Sequence, residues 1–257
     1  MPDVGGNESM ISTTTRLVAL LGHPVAHSLS PRIQNAAFAA RALDWAYVAC
    51  DVDPAALPAA VEGLRALGFA AANVTIPHKG AVAGLCDELD DLSRRSGAVN
   101  TLVFREGGRI VAANTDGPAV ASAVDAHGAH VLVLGRGGAA RAVAAALEEA
   151  GAASVRLASR SDPDWPPPAG DATILVNATP LRDGAPVAPH PDQQVVDLAY
   201  RPDGRPTALV AAARAAGCAR VIDGLEILVR QGAASFELWT GVPAPVDAMR
   251  AAVARIV

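Results

Sequence analysis

Short apolar runs alternate with Ala-rich amphipathic stretches along the 257 residues. This is the pattern of an α/β chain whose parallel strands are buried on both faces. Residues 16–21 (RLVALL) read as a buried strand stopped by Gly22. Ser30-Pro31 then opens a helix to about residue 42, with Ser30 as N-cap and Pro31 at the first helical position. Residues 45–52 form a second strand, 54–67 a helix ended by Gly68, and 71–76 a third strand broken by Pro77. Two short helices precede a strand over 98–104, which Gly107-Gly108 turns into a hairpin with 109–113. After Thr115-Asp116-Gly117 a helix is expected to reach His127.

A second unit opens there. Residues 130–134 (HVLVL) are a strand, 135–140 (GRGGAA) a Gly-rich turn, 141–150 a helix and 154–159 the next strand. Further buried strands read at 172–176, 195–198 and 220–222, with a helix over 206–216 and two last helices over 225–238 and 244–256. Four prolines keep 161–170 (SDPDWPPPAG) from being helical. A seam near Asp116 and another near Gly224 make the middle unit an insertion within the first, and both Gly117 and Gly224 are expected hinge points.

Composition narrows the function. A net charge of −5 without a basic cluster lacks the footprint of a nucleic-acid binder. No apolar run approaches the roughly 18 residues of a membrane span, and residues 1–15 read as a loose tail rather than a signal peptide. Cys50, Cys86 and Cys218 form no CxxC pair, which fits buried thiols in a reducing cytoplasm. Neither CxxC nor HExxH is present, so no zinc site is expected. Of the 21 basic residues only Lys79 is a lysine. Lysine can trade a proton where arginine cannot, so a chain nearly emptied of Lys points to an amine needed at that place.

The turn Gly135-Arg136-Gly137-Gly138-Ala139-Ala140 follows a strand and opens a helix, the context in which GxGxxG/A binds a dinucleotide pyrophosphate on backbone N–H groups. About 20 residues on, where a carboxylate would take a ribose 2′-OH, the chain reads Ser159-Arg160-Ser161. An Arg there pairs with a 2′-phosphate and favours NADP over NAD; the alternative is a solvated surface Arg, and Asp162 and Asp164 would oppose the phosphate. In the first unit, Ser28 and Ser30 place two hydroxyls beside a helix N-terminus, a cradle for a small carboxylate. Asn73 and Thr75 share one face at a strand end, with Lys79 four residues beyond, and Asn114-Thr115-Asp116 closes the hairpin. Asn73, Thr75 and Asp116 can converge at strand carboxyl ends, where Lys79 beside Asp116 is a proton-transfer pair for alcohol–ketone chemistry; Asp116 as a helix cap is the alternative.

From about Arg16 onward the sequence resembles the shikimate dehydrogenase family (shikimate 5-dehydrogenase, NADP-dependent). The matching stretches are GHPVAHSLSPRIQNAAF (22–38), NVTIPHK (73–79), GAVNT (97–101), NTDG (114–117), VLGRGGAARA (133–142), NATPL (177–181), DLAY (197–200) and GLEILVRQGAASFELWTG (224–241), in that order. The resemblance implies an N-terminal α/β substrate domain over 16–115, completed by helices in 225–257, plus a Rossmann-like NADP-binding domain over 116–224. It implies a cytoplasmic enzyme that reduces 3-dehydroshikimate to shikimate with NADPH, reversibly, in aromatic amino-acid biosynthesis through chorismate. Lys79 and Asp116 would be the catalytic pair. Ser28 and Ser30 would bind the substrate carboxylate with help from Tyr200, while Thr75, Asn100 and Gln231 would bind ring hydroxyls and Asn73 would line the pocket. Gly135, Gly137 and Gly138 would hold the pyrophosphate, Arg160 the 2′-phosphate and Thr179 would lie along the cofactor, with Ala139 and Ser159 in the same set.

The chain departs from the family pattern at Gln34-Asn35 for His-Asn, at Ser159-Arg160-Ser161 for Asn-Arg-Thr, at Arg182 for Gly and at Ile227 for Met. Asp164 stands about where a further basic residue often follows, and the stretch between Arg160 and Asn177 is short for the family. The expected partners are a small-molecule substrate and NADP(H), with NAD as the other candidate. Neither nucleic acid nor membrane is expected, and the chain is expected to be a monomer or a homodimer. The alternative activities are a quinate/shikimate or aminoshikimate dehydrogenase using NAD, or a non-catalytic relative that senses such ligands. An intact Lys79–Asp116 set argues against the last.

Overall fold

The computed structural model describes residues 11–254. The greater part of the expected tail, residues 1–10, and residues 255–257, which include the end of the expected last helix, lie outside the described residues. Residues 12–15 turn against the body, where the hydroxyls of Thr14 and Thr15 donate to the Asp44 carboxylate at 2.7 and 2.6 Å.

The first sheet holds β1 (Arg16–Gly22), β2 (Trp45–Asp51), β3 (Ala71–Val74), β4 (Glu88–Leu89), β5 (Thr101–Phe104) and β6 (Ile110–Ala113). Its order is β2-β1-β3-β5-β6-β4, with β2, β1 and β3 parallel and β5 antiparallel to both β3 and β6. Side chains alternate across β1: Val18 and Leu20 join the core under α1 (Ser30–Ala40), while Ala19 and Leu21 join the core under α2 (Leu57–Ala66). Burial on both faces is why this strand reads as an unbroken apolar run. The short α3 (Asp91–Ser96) follows, its start capped by Asp90, which accepts from the Ser93 N–H at 2.7 Å.

Beyond α4 (Asp116–Ala121), the second sheet is wholly parallel. It comprises β7 (His130–Leu134), β8 (Ser154–Ala158), β9 (Ile174–Asn177), β10 (Gln194–Asp197) and β11 (Arg220–Ile222), ordered β11-β10-β9-β7-β8. On one face α5 (Gly138–Glu149) sets Val143 and Leu147 against Val131, Val133 and Ile174. On the other, α6 (Ala208–Ala215) sets Leu209 and Ala213 against Leu132, Leu134 and Leu175. The last two helices, α7 (Gly224–Thr240) and α8 (Val246–Ala254), return to the first sheet, where Phe236, Trp239 and Met249 pack with Ile33 and Phe38. Ile227 at the start of α7 packs into the second core, so one helix leans on both units. Among the described residues no helix is long and apolar enough to cross a membrane.

Several local expectations are corrected. Ser30 is not the N-cap of α1: Leu29 holds that position with no side-chain cap, and the hydroxyl that meets the Ser30 N–H, at 3.2 Å, belongs to Ser28. The strand expected to reach residue 76 ends at Val74, leaving Thr75 in the following loop. The helix expected to reach His127 stops at Ala121, because Ala123, Val124 and Ala126 bury themselves from turns instead. The helix expected from residue 141 begins at Gly138. The three cysteines are half-buried rather than buried; burial raises all three thiol pKa values, Cys86 to about 12.

The two glycines expected as hinges stand at close approaches. A Cβ on Gly117 would lie 2.6 Å from the Ala142 carbonyl oxygen, and one on Gly224 would lie 2.2 Å from that of Ala199. Since backbone must shift to admit a methyl at residue 224, Gly224→Ala is expected to cost about 1–3 kcal/mol. Thermal unfolding checks this: the midpoint should fall by several degrees, whereas an unchanged midpoint would show that the contact relaxes freely.

Candidate active site

Ligands of doubly wound sheets collect beyond the carboxyl ends of strands, and here two sheets present those ends to each other. Beyond β1 come Ser28 and Ser30; beyond β3, Thr75 and Lys79; beyond β9, Thr179 and Arg182; beyond β10, Tyr200. Together with Asn73, Asn100, Asp116 and Gln231 they line one cleft of about 210 Å³. Every residue expected to touch substrate lies in this one cleft.

At its floor Lys79 Nζ donates to Asp116 Oδ2 at 2.5 Å, with side chains only 14% and 8% exposed. The other carboxylate oxygen, Oδ1, accepts from Asn100 Nδ2 at 3.0 Å. Asn100 is fixed in turn by its Oδ1, which accepts from the Thr115 N–H at 2.8 Å and from the Thr101 hydroxyl at 3.0 Å. Asp116 therefore sits as the first residue of α4 without capping it. That work falls to Asn114, whose Oδ1 accepts from the N–H groups of Asp116 and Gly117 at 3.0 and 3.2 Å. Both oxygens of Asp116 are thus committed, one to the amine and one to the amide that orients it.

The wall beneath is a polar network inside an apolar core. Asn73 Nδ2 donates to the Asn100 carbonyl at 2.9 Å and to Ser235 Oγ at 3.1 Å, and its Oδ1 accepts from the Tyr47 hydroxyl at 2.9 Å. Burial pushes the Tyr47 phenol well above its ordinary pKa, so it remains a donor. An amide oxygen has two lone pairs, of which the Tyr47 hydroxyl uses one. Ser235, fully buried on α7, joins Thr101 at 2.8 Å and Thr115 at 3.2 Å. Ser235, Thr115, Asn114 and Tyr47 were not among the sequence candidates. Asn114 and Thr115 carry a signal as part of NTDG, and Ser235 stands four residues after Gln231 on the buried face of its helix, whereas Tyr47 carries none.

At the opposite end, Ser28 Oγ accepts from the Ser30 N–H and the Tyr200 oxygen accepts from the Leu29 N–H, each at 3.2 Å. Hydroxyls that accept from backbone keep their own protons to donate. Two such donors beside the N-terminus of α1 suit a carboxylate. Arg182, outside the sequence candidates, also lines this cleft.

A second cleft of about 430 Å³ adjoins the first and is lined by Gly135, Gly137, Gly138, Ala139, Ser159, Arg160 and Thr179. Lys79, Ala139 and Thr179 line both. Gly135 has φ +123°, open in practice only to glycine, and Gly137 caps α5 with no side chain over the first N–H groups. A Cβ on Gly137 would meet nothing within 4 Å, whereas one on Gly138 would lie 3.0 Å from Lys79 Cβ. The helix start is therefore bare toward the cleft and pressed against the lysine. An uncapped helix N-terminus reached through glycine backbone fits a dinucleotide diphosphate. Arg141, a further residue outside the candidates, ties α5 to the first unit by donating from Nε to the Ser96 carbonyl at 2.7 Å.

Comparison with known proteins agrees with this geometry. A family model described as the shikimate dehydrogenase substrate binding domain matches residues 20–102, and one described as the shikimate 5'-dehydrogenase C-terminal domain matches residues 224–254. The chain is 44% identical over 278 residues to shikimate dehydrogenase (NADP(+)) of Rubrobacter xylanophilus, covering 95% of this chain and 97% of that one. The structure of shikimate 5-dehydrogenase from Thermus thermophilus in complex with NADP(H) and shikimate matches with a TM-score of 0.82 at 35% identity, covering 94% of this chain and 100% of that chain. Shikimate 5-dehydrogenase from Listeria monocytogenes, solved with shikimate and NAD, matches with a TM-score of 0.81 at 28% identity, covering 94% of this chain and 97% of that chain. With likeness running through nearly its whole length, this chain belongs to the shikimate dehydrogenase family.

Proposed function

We propose that the chain reduces 3-dehydroshikimate to shikimate with NADPH, reversibly, as a cytoplasmic step of aromatic amino-acid biosynthesis. The observation that carries this reading is the buried Lys79–Asp116 pair, whose lysine lines the polar cleft and the Gly-rich cleft alike. Residues 16–115 with 225–257 form the substrate domain and 116–224 the dinucleotide domain; the return of α7 and α8 to the first core supports that division.

The nicotinamide, when bound, supplies or receives the hydride. Lys79 gives a proton to the oxygen of the carbonyl as it becomes an alcohol, and takes one back in the oxidative direction. Asp116 positions the amine and balances its charge, while Asn100 keeps the carboxylate from turning away. Ser28, Ser30 and Tyr200 hold the substrate carboxylate, Thr75, Asn100 and Gln231 meet ring hydroxyls, and Asn73 lines the pocket beside them. Backbone N–H groups at Gly137, Gly138 and Ala139 take the diphosphate, with Gly135 allowing the turn, Thr179 along the cofactor, and Ser159 and Arg160 toward the adenosine ribose.

Mixing the purified protein with shikimate and NADP⁺ tests the reading. Reduced-nicotinamide absorbance should grow and should reverse with 3-dehydroshikimate and NADPH. Turnover of quinate alone would replace shikimate as substrate, and no turnover of either acid with either dinucleotide would overturn the enzyme reading.

A further inference from the structure

β8 ends at Ala158, and the loop that follows it forms one side of the Gly-rich cleft, where a dinucleotide presents its adenosine ribose. Three anion-binding groups converge there: the Ser159 N–H, the Ser159 hydroxyl and the guanidinium of Arg136 from the Gly-rich turn. Such a trio suits a phosphate monoester. All three are already engaged by the chain itself. Asp162 Oδ2 accepts from Arg136 Nη2 at 2.8 Å and from the Ser159 N–H at 2.9 Å. Its Oδ1 accepts from Arg136 Nε at 3.2 Å and from Ser159 Oγ at 3.3 Å. The Asp162 side chain is only 19% exposed while Arg136 reaches into solvent at 55%. Arg160, the other cation of this cleft, has no ion pair among the described residues.

We propose that Asp162 is a specificity-determining residue that occupies the anion site with its own carboxylate and so narrows the preference for an adenosine 2′-phosphate over a 2′-hydroxyl. This rests on the dinucleotide reading above. A 2′-phosphate must take Arg136 and Ser159 from Asp162 or share them against like charge, which leaves Arg160 as its one unopposed cation. A ribose 2′-hydroxyl meets no such opposition, since it donates a hydrogen bond to a carboxylate. The Arg136 guanidinium holds the Asp162 carboxyl below the usual range, so the opposing charge is present at neutral pH.

Calorimetric titration of the wild type, Asp162→Asn and Asp162→Ser with 2′,5′-ADP and with 5′-ADP tests this without turnover. Both variants should bind 2′,5′-ADP at least tenfold more tightly than the wild type, with 5′-ADP changed less than threefold. Raising the salt should shrink the difference. An unchanged ratio between the two nucleotides, or equal weakening of both, would overturn the proposal and leave Asp162 as a loop brace. Binding of 5′-ADP by the wild type keeps the dinucleotide reading standing in either case; failure of both nucleotides to bind any variant would overturn the two together.

Discussion

Lys79→Ala is expected to lower kcat for shikimate oxidation by about 10²–10⁴-fold, the usual worth of a positioned acid or base. Lys79→Arg should fare little better, because a guanidinium keeps the charge and withholds the proton. The amine and Asp116 act as one unit, with Asp116 Oδ2 on Nζ and Oδ1 on Asn100. Asp116→Asn should therefore cost a similar factor, and Lys79→Ala/Asp116→Asn should be scarcely worse than either single variant. Steady-state kinetics on folded variants, verified by thermal melts, provide the measurement. A Lys79→Ala enzyme within tenfold of wild type would remove the lysine from the chemistry. The melts carry a second readout: Lys79→Ala strands a carboxylate that is 8% exposed, so it should be less stable than the double variant.

The second large effect concerns Asp197, which ends β10 fully buried. Its oxygens accept from Asn177 Nδ2 at 2.8 Å, the Ala199 N–H at 2.9 Å and the Thr207 hydroxyl at 2.5 Å. Desolvation outweighs those bonds and raises the carboxyl from 3.8 to about 6. A raised folded-state value means that the native protein binds this proton more tightly than the unfolded chain does. The stabilisation is complete below pH 3.8 and is lost as pH rises through about 6. The shift of roughly two units corresponds to roughly 3 kcal/mol. Asp197→Asn keeps the shape and removes the charge. Its stability relative to wild type should climb by up to about 3 kcal/mol between pH 4 and pH 7. Urea unfolding at four pH values in that interval checks this, and parallel curves for the two proteins would contradict it.

The sequence revealed those parts of the molecule whose physics is local. The run RLVALL has to be buried on both sides, and GRGGAA has to turn sharply into a helix, so β1 and the start of α5 could be read directly. Elements whose cause is tertiary were missed or overrun. β4 is two residues that acquire strand character by pairing with β6. The stretch after Ala121 has the apolar spacing of a helix, yet it buries Ala123 and Val124 from turns, and burial alone does not tell the two apart. The proline-rich loop reads correctly as non-helical, but nothing local shows that Trp165 and Ala169 lean on the core that Leu209 and Ala213 of α6 form with the second sheet.

The candidate site divides in the same way. Motif residues at strand ends were legible, and each lines the cleft expected of it. The roles of their supports were not: Asn114 rather than Asp116 accepts from the first N–H groups of α4, and Ser235 comes from a helix more than a hundred residues away to join Thr101 and Thr115. The nearby acid Asp162 was visible as an opponent of phosphate. Its four bonds to Arg136 and Ser159 depend on a loop conformation that composition does not encode.

A crystal structure with shikimate and NADP⁺ bound bears most directly on the central claim. Lys79 Nζ should lie about 2.6–3.2 Å from the ring hydroxyl oxygen that is oxidised, still paired with Asp116, and that ring carbon should face the nicotinamide. A bound ring whose hydroxyls all lie beyond reach of Nζ, with the Lys79–Asp116 pair turned away from it, would contradict the account.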